Sequence, residues 1–203
     1  LDIGATLNGS GIDYTLIKEI AGEAFMPVAY GGGISSLEQA QKIISLGIEK
    51  IILNTAAIEK PSFIQKLVEV LGSQSVLFSL DTKPDLFGNQ KCYAKAGTNK
   101  VKESVLAMAL KMQERGVGEI ILNSIHLEGT KKGYDLKLIN QLASKLDVPL
   151  IALGGAGDLE DMIAAKKAGA HGLAAGTMFL FQGPLKGVLI SYLAENELNK
   201  INQ

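Results

Sequence analysis

The chain alternates short, continuously apolar runs with longer stretches in which apolar residues recur every three or four positions. The apolar runs predict strands, and their lack of polar alternation is typical of a parallel sheet covered by helices. We predict strands at 26–31, 49–54, 76–81, 118–124, 148–153 and 172–176, with residues 1–3 as the end of another. The periodic stretches predict helices near 13–22, 37–46, 61–71, 101–115, 135–146 and 158–168, and a last helix near 184–195.

Two glycine clusters, residues 31–33 and 154–157, each follow a predicted strand and precede a predicted helix. Backbone N–H groups and the positive end of a helix dipole favour an anion there, so each cluster predicts a phosphate site. An offset of 122 residues places Gly32 on Gly154 and aligns apolar, acidic and proline positions without a gap. We interpret this as an internal duplication in which each copy carries its own phosphate site.

Alternating strands and helices build either a doubly wound sheet or a (β/α)8 barrel. Neither glycine cluster has the G-x-G-x-x-G spacing of a dinucleotide-binding fold. Polar residues stand at the carboxyl ends of the predicted strands, where barrels carry their active sites: Asp2, Asn54, Asp81, Asn123, Ser124 and Thr177. For any one of them alone a strand-end cap is the favoured interpretation, but their agreement favours an α/β fold of the (β/α)8 TIM-barrel type.

A barrel needs eight strands and about 250 residues, whereas the pattern contains six whole strands and one strand end. No proline-rich or serine-rich linker divides the chain. We therefore expect residues 1–203 to form a single barrel domain whose first β/α unit is missing from this sequence, which begins with Leu1 instead of Met.

Composition excludes several classes of function. With a net charge of −1 and a pI of about 6.2, the chain lacks the basic field that draws nucleic acid or an anionic membrane, so we expect neither as a partner. The single cysteine, Cys92, is typical of a reducing, cytoplasmic protein and lies in a predicted hairpin, residues 86–93, without a base to activate it. His126 and His171 lack carboxylates or cysteines at ligand spacing, so we expect no metal and no cofactor.

Several motifs occur in the order of a known family. They are Leu1-Asp2-Ile3, Tyr30-Gly31-Gly32-Gly33-Ile34, Asn54-Thr55-Ala56-Ala57, Ser79-Leu80-Asp81-Thr82-Lys83, Gly129-Thr130-x-x-Gly133-Tyr134-Asp135 and Gly154-Gly155-Ala156-Gly157. With them the chain resembles the cyclase subunit of imidazole glycerol phosphate synthase, a (β/α)8 barrel of histidine biosynthesis made of two half-barrels. The resemblance implies a glutaminase partner, whose ammonia passes through the barrel, and a substrate with a phosphate at each end.

The resemblance also implies roles for individual residues. It makes Asp81 the general acid–base, which suits a carboxylate at the mouth of an apolar barrel, although an aspartate that caps a turn fits the same pattern. The implied first phosphate site is Gly32, Gly33, Asn54 and Thr55, and the second is Gly129, Gly154, Gly155, Gly176 and Thr177. Lys50 and Glu119 match an ammonia gate at the strand starts, where charge patterning is equally typical of solvated charges.

The loop after the sixth strand departs from that family. The family's Asp-Arg-Asp-Gly-Thr is here His126-Leu127-Glu128-Gly129-Thr130, so Glu128 replaces a functional aspartate and is the second catalytic candidate. Leu153 and Asn123 also replace a serine and a threonine. One additional methylene displaces a carboxylate by about 1 Å, enough to lower a rate by ~100-fold.

These departures resemble a paralogous branch that occurs with surface-polysaccharide genes, in which a glutaminase and an amidotransferase convert an acetamido sugar into an amidine. We therefore predict a lyase-like, ammonia-dependent synthase subunit that works with a glutaminase (glutamine amidotransferase) subunit on a phosphorylated or nucleotide-linked sugar. Three alternatives stay open: a true histidine-biosynthesis cyclase, a phosphoribosyl isomerase-like barrel without a glutaminase, and a non-catalytic scaffold that only conducts ammonia.

Overall fold

The computed structural model describes residues 1–7, 11–182 and 187–201. Its strands are β1 (Ala29–Gly31), β2 (Lys50–Leu53), β3 (Val76–Pro84), β4 (Gln90–Ala94), β5 (Asn99–Lys100), β6 (Glu119–Ser124), β7 (Leu150–Leu153), β8 (Gly172–Ala174), β9 (Phe181–Gln182) and β10 (Gly187–Val188). Its helices are α1 (Ile3–Leu7), α2 (Tyr14–Glu23), α3 (Leu37–Ser45), α4 (Thr55–Glu59), α5 (Pro61–Leu71), α6 (Val105–Glu114), α7 (Leu136–Ala143), α8 (Leu159–Lys167), α9 (Thr177–Leu180) and α10 (Glu195–Ile201).

Six parallel strands form the main sheet in the order β1-β2-β3-β6-β7-β8, and helices connect each of them to the next. Strands that follow one another along the chain are therefore neighbours in space, which is the arrangement of a (β/α)8 barrel. The sheet curls so that one face is interior and the other is covered by helices, which confirms the predicted fold class. β4 and β5 extend from β3 as an antiparallel hairpin, which the sequence also predicted.

The core has two layers because side chains alternate along each strand. On the outer face, residues such as Phe78 and Leu80 of β3 pack under the helices and are almost completely buried. On the inner face, a smaller apolar cluster is formed by Ile52, Leu77 and Ile121, with Ile151 and Leu153 packed against it. The barrel interior is thus apolar between its two ends.

The predicted internal duplication extends to individual elements. Helices α3 and α8 both contain nine residues and begin 122 positions apart. The side chains of their N-cap residues, Ser36 and Asp158, each accept a backbone N–H from the first turn. The short helices α4 and α9 begin the same distance apart, at Thr55 and Thr177. Periodicity did not predict these two, because four or five residues are too few to show a helical repeat.

The predicted strand at residues 1–3 is wrong. The Asp2 N–H donates to the Gly31 carbonyl at 2.6 Å, but residues 1–3 form no strand ladder with β1 in the described part of the chain. The chain then turns into α1, and the Asp2 carboxylate accepts the Ala5 N–H at 3.0 Å as a cap for that helix. An aspartate that caps a helix competes with strand pairing, which explains the difference.

The predicted helix at 184–195 is also wrong for the part that the structure describes. Residues 183–186 lie outside the described residues, while Gly187–Val188 pairs antiparallel with Phe181–Gln182. The backbone N–H groups of Leu189 and Ser191 continue this pairing to the carbonyls of Leu180 and Phe179. The helix begins only at Glu195, because the β-branched stretch before it finds a strand partner.

Gly155 offers a test of the tight approach between the second glycine cluster and its neighbours. Its φ is 107°, and a Cβ there would overlap the carbonyl oxygen of Gly133. We expect Gly155→Ala to lower the free energy of unfolding by about 3 kcal/mol. Gly88 has a similar φ of 81° but open space around it, so Gly88→Ala should lose only about 1 kcal/mol. Urea unfolding followed by circular dichroism measures both, and equal losses would show that crowding at Gly155 has no effect.

A candidate active site at the carboxyl ends of the strands

A cavity of about 590 Å³ opens at the carboxyl ends of β1, β2, β3 and β6. Six of the predicted site residues line it: Gly32, Gly33, Asn54, Thr55, Asp81 and Glu128. All five members of the predicted second phosphate site lie outside its lining: Gly129, Gly154, Gly155, Gly176 and Thr177. The structure therefore brings the first predicted phosphate site and both catalytic candidates together in one cavity.

Asp81 lies on the inner face of β3 and has only 8% of its surface exposed. Its Oδ1 accepts hydrogen bonds from the Ser79 hydroxyl at 2.8 Å and from the Asn123 amide at 3.0 Å. Ser79 is two residues earlier on the same face of β3, and Asn123 is paired with Asp81 across to β6. Burial raises the pKa of the Asp81 carboxyl, and the hydrogen bonds from Ser79 and Asn123 oppose that shift only in part. A carboxyl group in this state can hold and release a proton inside the cavity.

Asn54 and Thr55, predicted to bind phosphate, also form hydrogen bonds that join the segments of the cavity wall. The Asn54 amide donates to the carbonyls of Ser79 at 2.9 Å and Tyr93 at 3.1 Å, which joins β2 to β3 and to the hairpin. The Thr55 hydroxyl accepts the Lys95 N–H at 2.9 Å and donates to Asn54 Oδ1 at 3.3 Å. The tip of the hairpin is therefore fastened over the start of α4.

The residues of the predicted second phosphate site also lie close to one another. The Gly155 carbonyl accepts the Gly133 N–H at 2.9 Å, which ties the loop after β6 to the loop after β7. A Cβ placed on Gly129 would be 3.7 Å from the Thr177 hydroxyl, and one placed on Gly176 would be 3.7 Å from Glu128 Oε1. Glu128 thus borders both the cavity and the second site.

Lys50 and Glu119 lie at the opposite end of the barrel, since each is the first residue of its strand. Their side chains form a partly buried ion pair that spans the start of β3 between them. The sequence predicted both as members of one charged group, and the structure brings them together at the amino-terminal end of the strands.

Two residues that line the cavity were given no role by the sequence analysis. Asp2 lines the cavity and accepts a hydrogen bond from the Tyr30 hydroxyl at 3.2 Å. Burial, and then the charge of Asp2, raise the pKa of Tyr30, which stays a neutral donor. Lys83 also lines the cavity, two residues beyond Asp81 on the same face of β3. The alternation along β3 was a signal that could have identified Lys83.

The histidines and the cysteine contribute no metal site or nucleophile in the part of the chain described. No group of three potential ligands occurs among the described residues. His126 lines the cavity. His171 does not line it, and its Nδ1 accepts the Leu150 N–H at 3.2 Å. Burial, with the charges of Glu103 and Asp81, raises the pKa of Cys92 to about 12, so its thiol stays protonated. None of the described helices has the length and hydropathy to span a membrane.

Comparison with known proteins identifies the family. The family model described as histidine biosynthesis protein matches residues 1–185. The chain belongs to the histidine biosynthesis protein family. This match includes all six parallel strands and every predicted site residue, so the candidate active site lies wholly within the part shared with the family.

Relatives within the histidine biosynthesis protein family are similar over most of the chain. A Pseudomonas aeruginosa protein with the provisional name imidazole glycerol phosphate synthase subunit hisF2 is 44% identical over 200 residues, 98% of this chain and 80% of its own length. Imidazole glycerol phosphate synthase subunit HisF of Petrotoga mobilis is 37% identical over 180 residues, which cover 88% of this chain and 71% of that protein. The subunit of the same name from Thermococcus gammatolerans is 35% identical over 196 residues, 96% and 77% of the two chains.

The buried state of Asp81 predicts a particular pH dependence of stability. Because its pKa is raised in the folded protein, ionisation of Asp81 removes stability as the pH rises through that pKa. Asparagine cannot ionise and can still accept both hydrogen bonds. We expect Asp81→Asn to unfold at a higher urea concentration than the unmodified protein at pH 7, with a difference that shrinks as the pH falls towards about 4. A difference that does not change with pH would contradict this account of the carboxyl.

Proposed function

We propose that this chain is the ammonia-using barrel subunit of an enzyme of the imidazole glycerol phosphate synthase type, and that it works with a glutaminase subunit. The observation that carries the proposal is a buried carboxyl, Asp81, on the inner face of the central strand β3, in the cavity at the carboxyl ends of the strands. The names of the relatives from Petrotoga mobilis and Thermococcus gammatolerans support the same class of enzyme.

In this proposal Asp81 transfers protons and Glu128 assists from the loop after β6. Burial keeps a proton on Asp81 more readily than on a solvated carboxyl, so it can protonate a leaving oxygen or nitrogen. The Ser79 and Asn123 donors stabilise the carboxylate that is left behind. Glu128 lines the same cavity and is the second carboxylate available to the substrate.

The duplicated glycine loops are the proposed phosphate sites. Gly32 and Gly33 precede α3, and Gly154 and Gly155 precede α8, two helices of nine residues whose dipoles favour an anion at their starts. The positive φ of all four glycines lets the backbone pass close to a ligand without a side chain in the way. Asn54, Thr55, Gly129, Gly176 and Thr177 complete the two sites in this proposal.

The proposed path of ammonia runs along the barrel interior from the Lys50–Glu119 ion pair to the cavity. The inner cluster between the two ends is apolar, which suits neutral ammonia and disfavours charged solutes. The Lys50–Glu119 pair spans the amino-terminal end of this path, which is the position that a gate for ammonia would take.

We further propose an acetamido sugar, phosphorylated or nucleotide-linked, as the acceptor of the ammonia. The loop after β6 favours this over the histidine precursor, since His126 and Glu128 both line the cavity there. Asn123, another departure from the family pattern, bonds directly to Asp81. Histidine biosynthesis is the second candidate function, because the family and its named relatives point to it.

Turnover with free ammonium tests the acid–base role and the acceptor together. We expect ammonia and a nucleotide-linked acetamido sugar to form an amidine, with the amide oxygen lost as water, in the presence of an amidotransferase, and a kcat lower by about 10²–10⁴-fold in Asp81→Asn. The same assay with the histidine precursor separates the two candidate functions, and isomerisation without ammonium would indicate an isomerase. Unchanged kcat in Asp81→Asn would contradict the proton-transfer role and favour a scaffold.

Paired assays with two nitrogen sources test the gate. With a glutaminase partner present, we expect Lys50→Ala to lose about tenfold in glutamine-supported turnover while ammonium-supported turnover stays nearly unchanged. The double variant Lys50→Ala/Glu119→Ala controls for the carboxylate that the single variant leaves unpaired. An equal loss with both nitrogen sources would assign Lys50 to folding or chemistry instead of transfer.

A further inference from the structure

Among the described residues that line the cavity, Lys83 is the only lysine or arginine, and the function proposed above gives it no role. It lies on the extension of β3 that pairs with the hairpin. Since Asp81 is two residues earlier, both side chains leave the same face of the strand, roughly 7 Å apart along it. A cation therefore stands beside the candidate acid–base group.

The ammonium of Lys83 is held in place by contacts that do not include a carboxylate. Its Nζ donates to the Gly97 carbonyl at 2.8 Å and lies 4.3 Å from the centre of the Tyr93 ring. No ion pair among the described residues includes Lys83. Because an ammonium has three donors and Gly97 accepts one, Lys83 keeps hydrogen-bonding capacity as well as its charge.

Two lysines of the neighbouring hairpin, in contrast, have carboxylate partners. Lys95 pairs with Glu59 at 3.1 Å, and Lys91 is 3.7 Å from Asp85. Lys91 is also the residue directly across from Lys83 in the antiparallel pairing. Like charges opposite each other destabilise a sheet, so an uncharged residue at position 83 would serve the hairpin better. A bound anion would account for the charge there.

We propose that Lys83 is an anion-binding residue of this cavity, which takes a phosphoryl group of a sugar phosphate and thereby positions the adjoining atoms beside Asp81. The proposal rests on the proposed function only in taking the cavity as the substrate site. The Gly97 carbonyl and the Tyr93 ring restrict the lysine before the ligand arrives, so little side-chain entropy is lost on binding. A lysine ammonium that donates to a phosphoryl oxygen forms a charge-assisted hydrogen bond, which is among the stronger polar contacts in proteins.

Calorimetric titration with ribose 5-phosphate at low salt tests Lys83 directly. We expect Lys83→Met and Lys83→Gln to bind the probe about tenfold or more weakly, and Lys83→Arg to stay within about threefold of the unmodified protein. Lys91→Met is the matched control, because it removes a neighbouring lysine on the same face that does not line the cavity. Its affinity should be unchanged. Equal losses in Lys83→Met and Lys91→Met would overturn the proposal, since a general loss of positive charge would then explain both.

Hydrogen exchange of the amides in residues 90–100 separates binding from a purely structural role. Lys83→Gln keeps a hydrogen-bond donor near the Gly97 carbonyl, so we expect unchanged exchange in the hairpin together with the loss of affinity. The proposal fails if Lys83→Gln binds ribose 5-phosphate as tightly as the unmodified protein, or if affinity falls only where exchange becomes faster.

These measurements need neither a glutaminase nor ammonium, so they are independent of the ammonia assays. A chain that binds the sugar phosphate through Lys83 but does not use glutamine with any glutaminase supports the anion site and contradicts the proposed function. A chain that uses ammonium normally while Lys83→Met keeps full affinity contradicts the anion site and leaves the proposed function standing.

Discussion

The pleat of β3 is the constraint on which the candidate site depends. β3 lies between β2 and β6 in a parallel sheet, so its side chains must alternate between the helix layer and the barrel interior. Phe78 and Leu80 pack under the helices, which forces Ser79 and Asp81 to the inner face. A shift of one residue would bury the carboxyl under the helices and place the phenylalanine inside. The large apolar residues of β3 thus hold Asp81 in the cavity.

Holding a carboxyl there works against stability. Burial disfavours the charged form of Asp81 and raises its pKa, and the Ser79 and Asn123 donors offset this only in part. The helix-covered core compensates, because it contains most of the fully buried side chains of the described chain. Lys83 adds a second unfavourable feature next to Asp81, a lysine opposite a lysine. Unfavourable charges that cluster at one strand end are typical of a site shaped by chemistry instead of stability.

The internal duplication repeats the backbone but not the chemistry. Asn54 and Gly176 occupy equivalent positions before α4 and α9. The Asn54 amide ties β3 and the hairpin together, whereas Gly176 has no side chain and lies against Glu128. The first half therefore contributes most of the cavity wall, and the second contributes an acidic loop at its border. The same backbone arrangement thus provides two different chemical environments.

The sequence by itself determined the parts that depend on local pattern. Strand runs, amphipathic helices, the 122-residue repeat and the polar strand ends all follow from neighbours along the chain, and they were enough to place Asp81 in a barrel. Tertiary structure decided what depends on residues far apart: the pairing of Lys50 with Glu119, and the fastening of the hairpin over Thr55. It also explains the two wrong predictions, because the structures of residues 1–3 and 187–191 depend on hydrogen bonds to other parts of the chain. The local pattern predicts whether a side chain lies inside or outside the sheet. Which distant residue that side chain contacts is determined only when the whole chain has packed.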